Sequence, residues 1–195
     1  MCTHHVSSDG FSAYLALEYI NNYLEKNEKN DVPRLSYQEY VFKEVTYKDT
    51  KRYMADKKFW NKQFLLNPIC SVFSEESYSV NYEAKEVNCS FSLSLYNKIF
   101  DFCKTNKIST QSFFNTVYSL YIHKIKGLDL FTIGVPVLNR TTTTEFNSGG
   151  LYMHIVPLLI KVLDGSFLTN INGVEDAQIN LFRHQKFTQY DIKEL

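Results

Sequence analysis

Two long apolar segments in the second half of the chain constrain its fold most. Residues 128–137 are apolar at odd and even positions, which is typical of a strand in the middle of a sheet. Residues 151–162 form the second segment, in which Pro157 predicts a sheet edge or a bulge because proline lacks the backbone N–H. Amphipathic helical patterns flank both segments. Strands that alternate with helices predict an α/β fold, here a mixed sheet with flanking helices.

The remaining patterns are mostly helical. Helices are predicted over residues 11–28, about 50–64, 95–104, 111–126 and 166–183, the last interrupted by the polar stretch 170–173. The third of these is capped by Ser94, and the fourth by Ser109 or Thr110. Alternation predicts a strand over residues 87–93, whereas 35–44 is ambiguous. Residues 67–87 read as an irregular connection that could contain a short strand at 78–82.

Composition excludes several classes of function. The 21 basic and 21 acidic residues give no net charge, which argues against a nucleic-acid-binding protein. No apolar run reaches the ~18–20 residues that would span a membrane. Residues 1–4 show no signal-peptide pattern. The cysteines lack paired C-x-x-C spacing, which predicts reduced thiols and a cytoplasmic protein: Cys2, Cys70, Cys89 and Cys103.

The residues that could take part in catalysis are concentrated near the start of the chain. His4 and His5 are adjacent, and Asp9-Gly10 follows as turn chemistry before the first helix. Residues 4–8 are predicted to be a strand end or a short loop. An imidazole beside a helix N-terminus suits proton transfer next to a carbonyl that becomes an oxyanion. A zinc site of His4, His5 and Asp9 is disfavoured, because adjacent side chains on a strand point to opposite faces.

The pattern His4-His5-x-x-x-Asp9-Gly10 resembles the active-site signature of condensation domains of nonribosomal peptide synthetases. These domains belong to the chloramphenicol-acetyltransferase-like acyltransferase superfamily. Residues 134–140 resemble the family's G-x-P-x-x-N-R block, and residues 149–158 resemble the block that follows it. The family usually has asparagine where Met153 or His154 falls. Residues 37–40 and the helix containing Trp60 are also similar to the family.

The resemblance implies a fold of two chloramphenicol-acetyltransferase-like lobes that face each other across a tunnel. This chain would be an incomplete two-lobe domain whose ends expose apolar surface. Residues 1–15 would be the end of the first lobe, about 16–66 a helical connection, and about 67–195 most of the second lobe. The partner that covers the exposed surface would be the missing first lobe.

The resemblance also implies the reaction, which is amide-forming acyl transfer between thioesters on carrier proteins. The phosphopantetheine arms belong to those carriers, and an adenylation domain is a further implied partner, whereas no cofactor or metal is bound directly. His5 matches the catalytic histidine, and the alternative for it is a histidine with a structural hydrogen bond.

The other motif residues are expected to support that histidine. His4 is expected to hold the neighbouring backbone, and the Gly10 N–H to lie near the substrate carbonyl. Asp9 is expected either to pair with Arg140 or to cap the first helix, and Ser12 occupies the serine position that often follows the motif.

Two other interpretations of the sequence remain open. The chain could be an epimerisation domain or another acyltransferase that carries HHxxxDG. It could also be a non-catalytic remnant, or a half-domain that only docks a carrier protein.

Overall fold

A computed structural model describes residues 4–25, 34–66, 68–70 and 86–195 of the chain. Within these ranges the helices are α1 Gly10–Leu24, α2 Tyr37–Tyr47, α3 Lys51–Phe64, α4 Leu93–Asn106, α5 Thr110–Lys126, α6 Thr143–Phe146, α7 Phe167–Arg183 and α8 Gln189–Lys193. The strands are β1 Ile69–Cys70, β2 Leu130–Val137 and β3 His154–Lys161. No helix of the described part is long and apolar enough to cross a membrane.

The strands form one sheet in the order β1-β2-β3, with β1 parallel to β2 and Ile69 opposite Phe131. The predicted central position of β2 is therefore confirmed, and β3, which contains Pro157, lies at the end of the order. Burial along β2 alternates, since Val135 and Val137 are buried while Gly134 and Pro136 are exposed. One face of this half of the strand is therefore exposed, although its residues are apolar.

The chain divides into two compact units. Unit 1 comprises Met1–Leu66, Gly134–Val156 and Phe182–Leu195, and unit 2 comprises Asn67–Ile133 and Pro157–Leu181. The largest fully buried side chains of unit 1 include Trp60, Tyr152 and Phe187, and those of unit 2 include Phe131, Ile122, Leu158, Ile171 and Leu181. The candidate site lies within unit 1.

Side-chain caps explain where several helices begin. Ser36 accepts a hydrogen bond from the Glu39 N–H while the Glu39 carboxylate accepts one from the Ser36 N–H, which is a capping box. The ambiguous segment 35–44 is consequently helical. Ser109 caps α5, as one of the two predicted alternatives. Helix α7 continues through residues 170–173 because the Asn170 side chain is buried and hydrogen-bonded to the backbone of Leu163, so the predicted interruption is wrong.

The predicted strand at residues 87–93 is absent from the described structure. Ser92, rather than Ser94, accepts a hydrogen bond from the Leu95 N–H at 3.2 Å, so α4 begins at Leu93. Val87, at 90% exposure, is not part of the core. A serine that caps a helix competes with strand pairing, and here the cap prevails. The proposed strand at 78–82 lies outside the described residues.

Helix α5 buries mainly residues with small hydroxyl side chains. Its buried residues are Ser112, Thr116, Ser119 and Ile122, whereas four larger apolar or aromatic residues of the helix stay exposed: Phe114, Val117, Tyr121 and Ile125. The Thr116 hydroxyl donates within the helix to the Ser112 carbonyl at 2.7 Å, whereas the buried Ser119 hydroxyl has no hydrogen-bond partner among the described residues.

Candidate active site

The two adjacent histidines lie on a turn that leads into α1. The Ser7 N–H donates to the His4 carbonyl at 3.0 Å, and the Val6 N–H donates to His4 Nδ1 at 3.1 Å. Of the two predicted forms of residues 4–8, the structure therefore shows the loop. The His5 side chain is exposed on this turn. An exposed imidazole next to a helix start is accessible to a substrate.

Asp9 joins the histidine turn to a distant part of unit 1. Its Oδ1 accepts from the Ser12 N–H at 2.9 Å and from Arg140 Nη2 at 3.2 Å. Its Oδ2 accepts from Arg140 Nη1 at 2.7 Å and from the N–H groups of Tyr152 and Met153, both at 3.1 Å. Asp9 is thus both the cap of α1 and the partner of Arg140, so the two sequence alternatives hold together.

These contacts decide the charge of Asp9. The side chain is buried, which by itself raises the pKa, but the hydrogen bonds from Arg140, Ser12 and Tyr152 outweigh burial and hold the pKa of Asp9 well below its ordinary value. Asp9 is therefore a carboxylate at neutral pH whose acceptor positions are occupied. Such a group positions its neighbours and is poorly suited to act as a general base.

Arg140 is held by an ion pair, by hydrogen bonds from both terminal nitrogens and by two aromatic rings. Its side chain is fully buried in an ion pair with Asp9, and Nη2 also lies 3.4 Å from the Gly150 carbonyl. The guanidinium packs against the ring of Tyr152, 4.1 Å from the ring centroid, and against Phe11 at 4.8 Å. A planar guanidinium combines bidentate pairing with stacking, which an ammonium does not, so lysine would be a poor replacement here.

The turn after β2 presents Arg140 to the site. Asn139 has a φ of +52°, in the left-handed region that asparagine tolerates better than most residues. Its Nδ2 donates to the Tyr40 hydroxyl at 3.2 Å, and its N–H donates to Gln185 Oε1 at 3.1 Å. Asn139 therefore ends the strand and orients the following residue towards Asp9, which gives the N-R pair a local physical reason.

Ser12 fastens the other side of the ion pair. Its buried Oγ accepts from the Gly150 N–H at 2.9 Å and lies 2.7 Å from the Gly150 carbonyl and 2.8 Å from Asp9 Oδ1, either of which can take its proton. The first helix, the loop after α6 and the Asp9–Arg140 pair are consequently one hydrogen-bonded cluster. We call Asp9, Ser12, Arg140 and Gly150 the clasp.

Gly150 allows a close approach of backbone and aromatic rings. Its φ is +147°, and a Cβ at this position would fall on the Tyr37 ring and 3.0 Å from Tyr152 Cε2. We expect Gly150→Ala to lower the free energy of unfolding by about 1–3 kcal/mol, because the backbone conformation is strained for alanine and the Tyr37 ring must move. Urea unfolding monitored by fluorescence checks this.

Gly149→Ala is the matched control, since no atom lies within 4 Å of its would-be Cβ. It should leave the unfolding midpoint nearly unchanged. Equal effects of the two alanines would contradict the packing explanation.

Gly10 is the first residue of α1, and open space surrounds it, because a Cβ there would meet no atom within 4 Å. Its expected role beside a substrate carbonyl stays a prediction. Among the described residues, no group of three histidine, cysteine, aspartate or glutamate side chains could hold a metal ion.

Sequence reasoning missed a second polar cluster in unit 1. The carboxylate of Asp56 is buried and accepts from His184 Nδ1 at 2.6 Å, from the Tyr47 hydroxyl at 2.7 Å and from Arg52 Nε at 3.0 Å. His184 also stacks on Phe59, with ring centroids 4.0 Å apart. The i, i+4 spacing of Arg52 and Asp56 was the available signal, although it does not identify His184 as the third partner.

Comparison with known proteins identifies the family to which the chain belongs. The family model described as the condensation domain matches residues 1–195. Surfactin synthase subunit 1 of Bacillus subtilis (strain 168) is 30% identical over 192 residues, which cover 94% of this chain and 5% of that protein. A plipastatin synthase of the same organism is 27% identical over 193 residues, or 94% of this chain and 8% of that protein.

Solved structures show the same fold at lower identity. The first condensation domain of the calcium-dependent antibiotic synthetase superimposes with a TM-score of 0.81 at 19% identity, covering 98% of this chain and 44% of that one. The condensation enzyme VibH superimposes with a TM-score of 0.79 at 20% identity, covering 98% of this chain and 46% of the VibH chain. The chain therefore spans less than a tenth of these curated relatives and less than half of these solved structures.

Proposed function

Since the chain belongs to the condensation-domain family, we propose that it supplies the histidine-bearing part of a site that forms amide bonds in nonribosomal peptide synthesis. The donor is an acyl thioester on the phosphopantetheine arm of one carrier protein, and the acceptor is an amine on the arm of a second. An adenylation domain loads such a carrier, and a second lobe completes the tunnel. The observation that carries the proposal is the buried Asp9–Arg140 pair directly behind the histidine turn.

The reaction needs little covalent help from the protein. The acceptor amine attacks the thioester carbonyl, the tetrahedral oxyanion collapses, and the C–S bond breaks to release the thiol of the donor arm. The nitrogen loses one proton, and the leaving sulfur gains one. An α-amine has a pKa of ~7.7–8.0, so a useful fraction is neutral at pH 7 before any base acts.

His5 accordingly has two suitable tasks in this proposal. An imidazole can orient the amine or take a proton from the tetrahedral intermediate. General-base catalysis contributes ~10²–10⁴-fold, whereas holding two reactants in place can supply ~7–11 kcal/mol. We therefore assign the larger part of the rate to positioning, in which the clasp keeps the His5 turn fixed.

The start of α1 would stabilise the oxyanion. The Asp9 side chain accepts a hydrogen bond from the Ser12 N–H and so caps α1. Gly10 is the first residue of the helix, and open space lies beside it. A helix N-terminus carries partial positive charge, which favours a developing anion. The Gly10 N–H is the donor we assign to the substrate carbonyl, and His4 keeps the turn in shape through its bond from Val6.

The test uses the polypeptide in the form in which its host makes it. It is incubated with pooled peptidyl carrier proteins whose phosphopantetheine arms carry each of the proteinogenic amino acids, and dipeptidyl carriers are detected by mass spectrometry. We expect amide product that is absent without the protein.

A second arm of the same test addresses the length of the chain, which covers only 44–46% of these solved condensation structures. The 195-residue chain is assayed alone and with a polypeptide equivalent to the remaining part of such a domain. Product only after addition would show a site completed in trans. No product under any condition would contradict the proposal and favour a non-catalytic remnant.

A further inference from the structure

All the exposed charged residues of α3 are basic. Its 14 residues include five lysines and arginines but a single acidic residue, although the whole chain has 21 of each sign. Lys51, Lys58 and Lys62 are exposed and follow one another at helical spacings of seven and four residues, which places them on one side of the helix. The acidic residue, Asp56, is buried on the opposite side with Trp60.

This face is not an ordinary solvated helix surface. Such surfaces normally mix signs so that residues four apart attract each other, and like charges at that spacing, as in Lys58 and Lys62, are destabilising. The acidic residue of α3, Asp56, is buried and pairs with Arg52 four positions earlier, so it does not neutralise the exposed lysines. In the described ranges, Lys51, Lys58 and Lys62 have no carboxylate partner. The helix therefore presents uncompensated positive charge.

The inner side of α3 holds this face in place. Trp60 is 2% exposed, and its Nε1 donates to the His184 carbonyl at 3.3 Å. Asp56 binds Tyr47 and His184 as well as Arg52, so both α2 and the segment after α7 are fastened to the helix. A surface that is already ordered loses less conformational entropy when a partner binds to it. Unit 1, which contains the clasp, also contains this helix.

We propose that the exposed face of α3 is a docking surface for a carrier protein, whose anionic groups meet Lys51, Lys58 and Lys62. The inference rests on the proposed function, which requires carrier proteins to bind the domain. The arm of a carrier is joined to its serine by a phosphodiester, so the surface around the attachment point carries at least one negative charge. Met54, 65% exposed on the same side, offers an adaptable apolar contact among the lysines.

The size of the face favours a small protein over a polymer. Residues 51 and 62 are 11 positions apart, which is about 17 Å along a helix. This length is comparable to the contact surface that one small protein domain can present. Nucleic acids and anionic membranes instead select basic surfaces on chains with a net positive charge, whereas this chain is neutral overall. Local positive charge on a neutral chain suits steering of one acidic partner.

The test reverses the three charges in K51E/K58E/K62E, in the polypeptide as its host makes it. The probe is a fluorescently labelled, phosphopantetheinylated peptidyl carrier protein of a nonribosomal peptide synthetase, and the readout is anisotropy at about 0.1 M salt. We expect the Kd to rise by about tenfold or more and the salt dependence of binding to weaken. The matched control K98E/K124E/K161E alters three exposed lysines of unit 2 by the same charge and should leave the Kd within about twofold.

Three results would overturn the proposal. They are an unchanged Kd in the α3 variant, an equal rise in the control, or a variant that loses binding to phosphatidylglycerol vesicles or duplex RNA while its carrier Kd is unchanged. The last result would assign the face to a different class of partner.

A second readout separates this proposal from the proposed function. Thioesters of N-acetylcysteamine lack both the carrier and the phosphodiester, so their turnover into amide should be the same in the α3 variant and in the unmodified protein. If the unmodified protein forms no amide from either kind of thioester, the proposed function fails, and the anisotropy measurement still decides the docking surface. A variant that loses turnover of both substrates equally would show a structural role for the lysines.

Discussion

Replacing Arg140 by methionine is expected to lower the free energy of unfolding by about 3–5 kcal/mol. The substitution leaves the Asp9 carboxylate, which is 3% exposed, buried without its charged partner. It also removes the contacts of the guanidinium with the rings of Tyr152 and Phe11, although methionine keeps part of that packing. Urea unfolding can be followed through Trp60, the single tryptophan of the chain, which is buried in the same unit as the pair.

A double-mutant cycle separates the ion pair from the packing. Asp9→Asn alone leaves Arg140 buried and unpaired, so it should also be destabilising. The double variant Asp9→Asn/Arg140→Met should lose less than the sum of the two single losses by about 0.5–3 kcal/mol, because neither buried charge remains. Asp129→Asn, which removes the carboxylate from the exposed contact with His123, should change stability little and serves as the control. A loss below about 1 kcal/mol in Arg140→Met would show that the pair is as weak as a surface salt bridge.

The parts of the fold that could be predicted are those with a strong local pattern. Strands β2 and β3 are long apolar runs, and α1, α3 and α5 start close to the predicted residues. The predicted α/β class with the chloramphenicol-acetyltransferase-like fold is confirmed by the solved condensation structures. The errors fall where side chains compete with periodicity: at Ser92, which caps α4 and replaces a predicted strand, and at Asn170, which continues α7 by bonding to Leu163.

The candidate site could be predicted only in part, and the reason is sequence distance. Asp9 and Arg140 are 131 residues apart, and no periodicity links them, so their pairing followed from the family resemblance alone. The backbone donors of Gly150, Tyr152 and Met153 leave no trace in residue type, because any residue except proline has an N–H. The role of Gly150 needed the folded structure, since only there does the Tyr37 ring lie beside it.

His5→Ala is expected to reduce the turnover of amide formation by about 10²–10⁴-fold without abolishing it. The amine that attacks is already partly neutral at pH 7, so the histidine is not needed to create the nucleophile. What is lost is the orientation of the amine and the removal of one proton. The KM for the acceptor should change little, because the clasp that shapes the turn contains no atom of His5. The assay is carrier-based amide formation detected by mass spectrometry, on the polypeptide as its host makes it.

His4→Ala is the matched control, one residue away on the same turn. Its Nδ1 accepts the Val6 N–H, so the variant should loosen the turn and lower turnover by less than His5→Ala. Unfolding midpoints of both variants should stay close to that of the unmodified protein, since both side chains are exposed. A loss beyond about 10⁴-fold in His5→Ala, with substrates still bound, would exceed general-base catalysis and make His5 rather than positioning the main source of the rate. A larger loss in His4→Ala would exchange the roles of the two histidines.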